Sequence, residues 1–219
     1  MSAVPPPPAG AAWESELVLQ DLEQTQELAR EVAGILRAGD VLVLTGGLGA
    51  GKTTFTVSLA DALGVSGAVS SPTFVLSRIH RSTSGGPDLV HVDAYRTDAD
   101  GLAAVDLIST VAESITVVEW GRGIVEQELA GPHGSWLDLE LVIPAAEPET
   151  RADDESGSAA DAGSDAGDLQ AQDALAPEII TDFSETEADL EGTPRVARLR
   201  GYGPRFAEIP LPWRGVPRD

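Results

Sequence analysis

The chain contains no cysteine, which excludes disulfides, thiolate metal sites, iron–sulfur clusters and cysteine nucleophiles. Aromatic residues make up only 5% of it, and lysine occurs once, at Lys52. The other basic residues are all arginine, and only Arg195, Arg198, Arg200 and Arg205 lie close together. A nucleic-acid footprint needs basic side chains gathered on one face, so tight direct binding of RNA or DNA by this chain alone is not expected. No apolar run reaches the roughly 18–20 residues that a membrane-spanning helix needs. The Pro5–Pro8 run has no basic stretch followed by an apolar one and does not read as a signal peptide. The expectation is a soluble, cytoplasmic protein without a membrane partner.

What the sequence has in excess is acid. The 219 residues carry a net charge of −22, and residues 145–191 hold 15 acidic side chains against a single basic one, Arg151. That stretch is rich in Ala, Gly and Ser, with Phe183 its only aromatic residue. Self-repulsion and scarce apolar surface leave too little to offset the entropy of ordering it. The expected organisation is a disordered Pro-rich N-terminus (1–15), a folded domain (16–144), a disordered acidic insertion (145–191), a returning edge strand (192–206) and a flexible C-terminus (207–219).

Within the folded part, Glu16–Gln20 has strand character, and Asp21 with Gln24 three residues on reads as a capping box. Leu22, Thr25, Leu28, Ala29, Val32, Ala33 and Leu36 follow helical spacing, with Gly39 placed to end that helix. Val41–Thr45 is a continuous apolar run suited to a buried parallel strand. A glycine-rich turn and a helix over 53–63 follow it. Thr73–His80 and Leu89–Asp93 read as an antiparallel hairpin. A weak helix is expected over 100–108, a buried strand at Ile115–Glu119, and a half-exposed strand at Trp136–Ile143. The fold class is α/β, with a mixed, mostly parallel sheet and an antiparallel hairpin.

Gly46-Gly47-Leu48-Gly49-Ala50-Gly51-Lys52-Thr53 fits the GxxxxGK[ST] phosphate loop between a strand and a helix. The glycines let successive N–H groups turn toward an anion, and the helix N-terminus adds favourable potential. Lys52 would bridge the β- and γ-phosphates, and the Thr53 hydroxyl would join Mg²⁺. Such a site also needs an acidic residue at the end of a neighbouring strand. Asp93 ends LVHVD and Glu119 ends ITVVE, and spacing does not divide the roles between them. Common GTPases read guanine through a motif that contains lysine; the only lysine lies in the loop, so ATP is favoured.

Other residues admit two readings. Arg96 pairs with Asp93 or reaches the nucleotide. Ser70-Ser71-Pro72-Thr73 is a γ-phosphate sensor or a plain strand entry. Trp120 anchors a partner or packs inside. His80, His91 and His133 lack metal-ligand spacing, and His91 reads as core.

GGLGAGKTT, SPTF, HVDAYR and VVEW, in this order and spacing, resemble the TsaE (YjeE) family of bacterial P-loop ATPases. The resemblance covers about 16–144 and extends to 195–206. It implies a three-layer P-loop NTPase fold and a part in forming N6-threonylcarbamoyladenosine at tRNA position 37, with TsaB and TsaD as partners, tRNA met only indirectly, and ATP hydrolysis supporting turnover. By motif match, Gly47 through Thr54 bind the nucleotide, with Lys52 the phosphate lysine and Thr54 the following threonine. Thr53 and Glu119 are the magnesium-side residues, Asp93 serves hydrolysis, and Trp120 is the tryptophan beside the glutamate. Leu22 falls in the stretch near the adenine. Gly47, Thr97 and Gly121 depart from the Asp, Leu and Pro that many members carry there. Three other readings compete: a small-molecule kinase, a nucleotide-gated interaction module that does not hydrolyse, and a nucleic-acid mimic built on the acidic tract.

Overall fold

The computed structural model describes residues 4–70, 72, 77–95, 110–124, 126, 134–144 and 193–209. All of these belong to one compact unit. The acidic stretch 145–191, the expected helix over 100–108, and Ser71, Thr73, Arg96 and His133 lie outside the described residues.

The chain starts as strand β1 (Trp13–Leu19) and helix α1 (Leu22–Ile35). Asp21 caps α1 by accepting from the Gln24 N–H at 2.9 Å, and the Gln24 side chain reaches back to the Gln20 N–H at 2.9 Å. Thr25, Leu28, Ala29 and Val32 form its buried stripe at the expected spacing. The helix ends at Leu36 in extended backbone rather than at Gly39. Gly39 (φ +91°) instead shapes the following turn, where the Asp40 N–H meets the Arg37 carbonyl at 3.0 Å.

Strand β2 (Val41–Gly46) leads through the glycine loop into α2 (Lys52–Leu63), which Gly64 terminates in a left-handed conformation. Then come β3 (Ser77–His80), β4 (Asp88–Asp93), β5 (Ser114–Glu119), β6 (Trp136–Val142), β7 (Arg195–Tyr202) and the short α3 (Gly203–Ala207). Among the described residues the sheet has seven strands in the order β1-β7-β6-β2-β5-β4-β3. Strands β6, β2, β5 and β4 are parallel. Antiparallel strands flank them, β7 and β1 on one side and β3 on the other.

Strand alternation splits the core. Leu42, Leu44, Ile115, Val117, Leu137 and Leu139 pack with α1 and α2, while Val41, Val43, Val90, Val92 and Val118 fill the opposite face.

Three further expectations need correction. The N-terminal residues 1–15 do not all lie outside the fold. β1 begins at Trp13, and the carbonyls of Pro5 and Pro8 accept from Arg122 Nη1 (3.0 Å) and the Tyr202 hydroxyl (2.7 Å). A proline run presents its carbonyls outward from an already restricted backbone, which lowers the entropy lost on docking. The returning strand is not an edge: β7 pairs with both β6 and β1, and β1 takes the edge. β6 is largely buried, because β2 and β7 flank it and its outward Asp138 and Glu140 face arginines rather than water.

That polar face of β6 holds a network with no counterpart in the sequence reading. Arg122 donates to Asp138 through both Nε (2.9 Å) and Nη2 (2.6 Å). Arg200 reaches Asp138 (3.0 Å), Glu140 (3.0 Å) and Glu14 (3.1 Å). Arg122 and Asp138 are each about 1% exposed, so each charge relies on the other for the solvation it has lost. Burial works against ionisation of Glu140, but Arg122 and Arg200 outweigh it and hold its carboxyl below the usual range.

Candidate functional site

Because β2, β5 and β4 are parallel, the ends of all three reach one edge of the sheet: Gly46, Glu119 and Asp93. The loop after Gly46 closes tightly. Gly46 has φ +152°, and a Cβ there would run into the Leu141 carbonyl oxygen. Gly49 (φ +75°) and Gly51 (φ +97°) take the positive angles that a loop turning into a helix requires. The Ala50 N–H meets the Gly47 carbonyl at 3.3 Å, Ala50 is buried, and Leu48 stands out from the tip at 67% exposure.

Lys52 opens α2 and is itself buried. Its ammonium donates to the carbonyls of Gly46 (3.2 Å) and Gly47 (2.8 Å), so the lysine folds back over its own loop. The Thr53 hydroxyl lies 3.2 Å from both carboxylate oxygens of Glu119. Glu119 is 2% exposed. Its carbonyl accepts from the Ala94 N–H, and the N–H of the next residue, Trp120, donates to Leu44, both at 2.8 Å. A hydroxyl beside a buried carboxylate, next to a glycine loop, is a hard-oxygen pair of the kind that suits magnesium, which takes its remaining ligands from phosphate and water.

Asp93 sits directly opposite Glu119 in the β4–β5 register, and its carboxylate accepts from the Tyr95 N–H at 2.9 Å. Thus Lys52, Thr53, Glu119 and Asp93 come together as a group. Thr54 is half-buried one residue into α2 beyond Thr53. Leu22 is half-buried at the first position of α1, and its expected place near an adenine rests on the resemblance alone.

Trp120 is neither fully core nor free. It is half-buried, with its ring 5.0 Å from that of Tyr95 and 3.9 Å from the Lys52 ammonium. Two further residues meet the site. Arg195, at the start of β7, reaches the Gly49 carbonyl at 3.4 Å. His91 Nε2 lies 2.8 Å from Glu119 Oε1. The reading of His91 as core holds for its burial but misses this contact. The two-residue period of LVHVD, which puts His91 and Asp93 on one face, is the signal that pointed to it.

A family model described as "Threonylcarbamoyl adenosine biosynthesis protein TsaE" matches residues 19–151. The chain is similar to proteins carrying the name tRNA threonylcarbamoyladenosine biosynthesis protein TsaE. With that of Streptomyces coelicolor it shares 54% identity over 47% of this chain and 70% of the relative. With that of Mycobacterium leprae it shares 43% over 57% and 80%. Its fold resembles the crystal structure of Bacillus subtilis YdiB, with a TM-score of 0.54 and 22% identity over 94% of this chain and 92% of the other. With the loop, its two strand-end carboxylates and these matches in hand, the chain belongs to the TsaE family.

Proposed function

We propose that this chain is an ATPase of tRNA N6-threonylcarbamoyladenosine biosynthesis, which binds and hydrolyses Mg-ATP to support turnover by TsaB and TsaD in the cytoplasm. The observation that carries the reading is the meeting of Thr53 and Glu119 at 3.2 Å beside a glycine loop whose lysine is turned in upon it. Lys52 would exchange the carbonyls of Gly46 and Gly47 for β- and γ-phosphate oxygens. The N–H groups of Gly47 through Thr54 would face the phosphates at the N-terminus of α2. Thr53 and Glu119 would hold Mg²⁺, which when bound offsets phosphate charge. Asp93, beside Glu119 in register, would orient the attacking water by accepting one of its hydrogens.

The charge outside the acidic stretch supports leaving tRNA to the partners. With −14 of the −22 placed in 145–191, the remainder still carries −8, which disfavours a phosphate backbone. Among the described residues no helix is long and apolar enough to cross a membrane.

The test is phosphate release from ATP by the purified chain, alone and with TsaB, TsaD and tRNA, in wild type and Lys52→Ala. The expected result is turnover that the partners stimulate and the substitution abolishes. ATP binding without turnover under every condition would replace this reading with a nucleotide-gated module. Phosphate recovered on a metabolite instead of in water would indicate a kinase.

A further inference from the structure

His91 occupies the middle of β4 with no exposed surface, and it shares a sheet face with Leu89 and Asp93. Its Nε2 lies 2.8 Å from Glu119 Oε1, while its Nδ1 is buried and meets no hydrogen-bond partner among the described residues. That asymmetry assigns the proton. A hydrogen on Nδ1 would be a buried donor without an acceptor, which costs on the order of 1–3 kcal/mol. A ring that carries its hydrogen on Nε2 leaves only a lone pair in that position. The ring therefore donates Nε2–H to Glu119 Oε1.

Glu119 is thereby gripped from two elements. His91 on β4 holds Oε1, and the Thr53 hydroxyl on α2 stands 3.2 Å from both oxygens. The imidazole has little freedom of its own, since the strand that carries it is hydrogen-bonded on both sides, to β3 and β5. We propose that His91 is a positioning residue for Glu119: by holding Oε1 it fixes the carboxylate against the Thr53 hydroxyl, which lies equally near both of its oxygens, and so pre-forms the oxygen group that receives the divalent cation. The inference rests on the nucleotide reading above and deepens it. Hydrogen-bond partners of ligating carboxylates commonly govern metal affinity by about 10–100-fold. A histidine that merely fills space would be replaceable by an apolar side chain of similar size.

The experiment measures ADP affinity by calorimetry, once in excess Mg²⁺ and once in EDTA, for wild type, His91→Leu, His91→Asn and His91→Gln. Thermal melts establish that each variant is folded. The gain in affinity that Mg²⁺ confers is the readout, and it needs no turnover. The expected result is that His91→Leu reduces this gain about tenfold and leaves the EDTA affinity unchanged. His91→Asn, too short to reach Glu119, shows the same reduced gain and supplies the readout if His91→Leu fails to fold. His91→Gln, whose amide N–H extends further, restores most of the gain. A full gain in His91→Leu or His91→Asn overturns the proposal, as does a His91→Gln no better than they are. It also falls if the wild type binds ADP without regard to Mg²⁺. A wild type that binds no ADP at all overturns the nucleotide reading itself, and this inference with it.

Discussion

The Lys52 ammonium lies 3.9 Å from the centre of the Trp120 ring, and Trp120 is the one non-glycine residue among those described with a left-handed backbone (φ 62°). A bulky residue in that region is strained by about 1–3 kcal/mol. Here the strain directs the indole onto the loop lysine, where a cation–π contact returns about 0.5–2 kcal/mol. The ammonium is thus held between the loop carbonyls and an aromatic face.

Phosphate that draws Lys52 away from Gly46 and Gly47 would also move it relative to this ring. Adding ADP should change the tryptophan emission of the wild type by an amount that Trp120→Phe lacks. An equal change in Trp120→Phe would assign the signal to Trp13, Trp136 or Trp213 and leave the Lys52–Trp120 contact undisturbed by nucleotide.

Gly46 and Gly47 differ sharply although they are neighbours. A side chain at Gly46 would collide with the Leu141 carbonyl, whereas nothing lies within 4 Å of a Cβ at Gly47. Gly46→Ala should lower stability by about 2 kcal/mol or more, and Gly47→Ala should stay within about 0.5 kcal/mol of wild type. Urea unfolding of the two variants makes the comparison. Equal losses would show that the approach of the loop to β6 is not what restricts Gly46.

Asp138 is the anion shared by two buried arginines, Arg122 and Arg200. Asp138→Ala leaves both without it and should cost about 3–5 kcal/mol. The Arg198–Glu16 pair is 37% and 44% exposed, and Arg198→Ala should cost under about 1 kcal/mol. Denaturant midpoints for the two variants decide between a structural network and an incidental one.

The same network sets a pH dependence. The Glu140 carboxyl is held below its ordinary range in the folded chain, so its contribution is present above the unfolded value of about 4.3. It is lost as pH falls through the folded value, because the unfolded chain takes up the proton first. The stability difference between wild type and Glu140→Gln should therefore be largest near neutrality and shrink toward pH 3. A difference that grows on acidification would reverse the assigned sign.

Local signals carried the elements that build the site. The Val41–Thr45 run, the glycine loop, the Asp21–Gln24 cap and Gly64 are all visible as short patterns, and each depends on neighbours in sequence. The strand-end carboxylates were visible too, because Asp93 and Glu119 each close an apolar run. What was hidden depends on pairing across long separations. Nothing within Arg195–Tyr202 tells that β1 will cover its far edge, and Asp138 and Glu140 alternate along β6 as a solvent face would. Arg122 lies in the turn after β5, where an arginine is ordinarily exposed, and only the fold brings it onto Asp138. His91 was half legible: its alternation with Asp93 was available, but its contact with Glu119 required the β4–β5 register.

The most direct measurement is equilibrium binding of ATP and GTP to the purified chain in Mg²⁺, for wild type, Lys52→Ala and Glu119→Gln. The account predicts ATP binding by the wild type, with at least a tenfold preference over GTP, that falls at least tenfold in Lys52→Ala, a change of about 1.4 kcal/mol or more. Glu119→Gln should weaken binding in Mg²⁺ and leave it unaltered in EDTA. ATP affinity that is the same in Lys52→Ala as in wild type would place the nucleotide elsewhere and contradict the account.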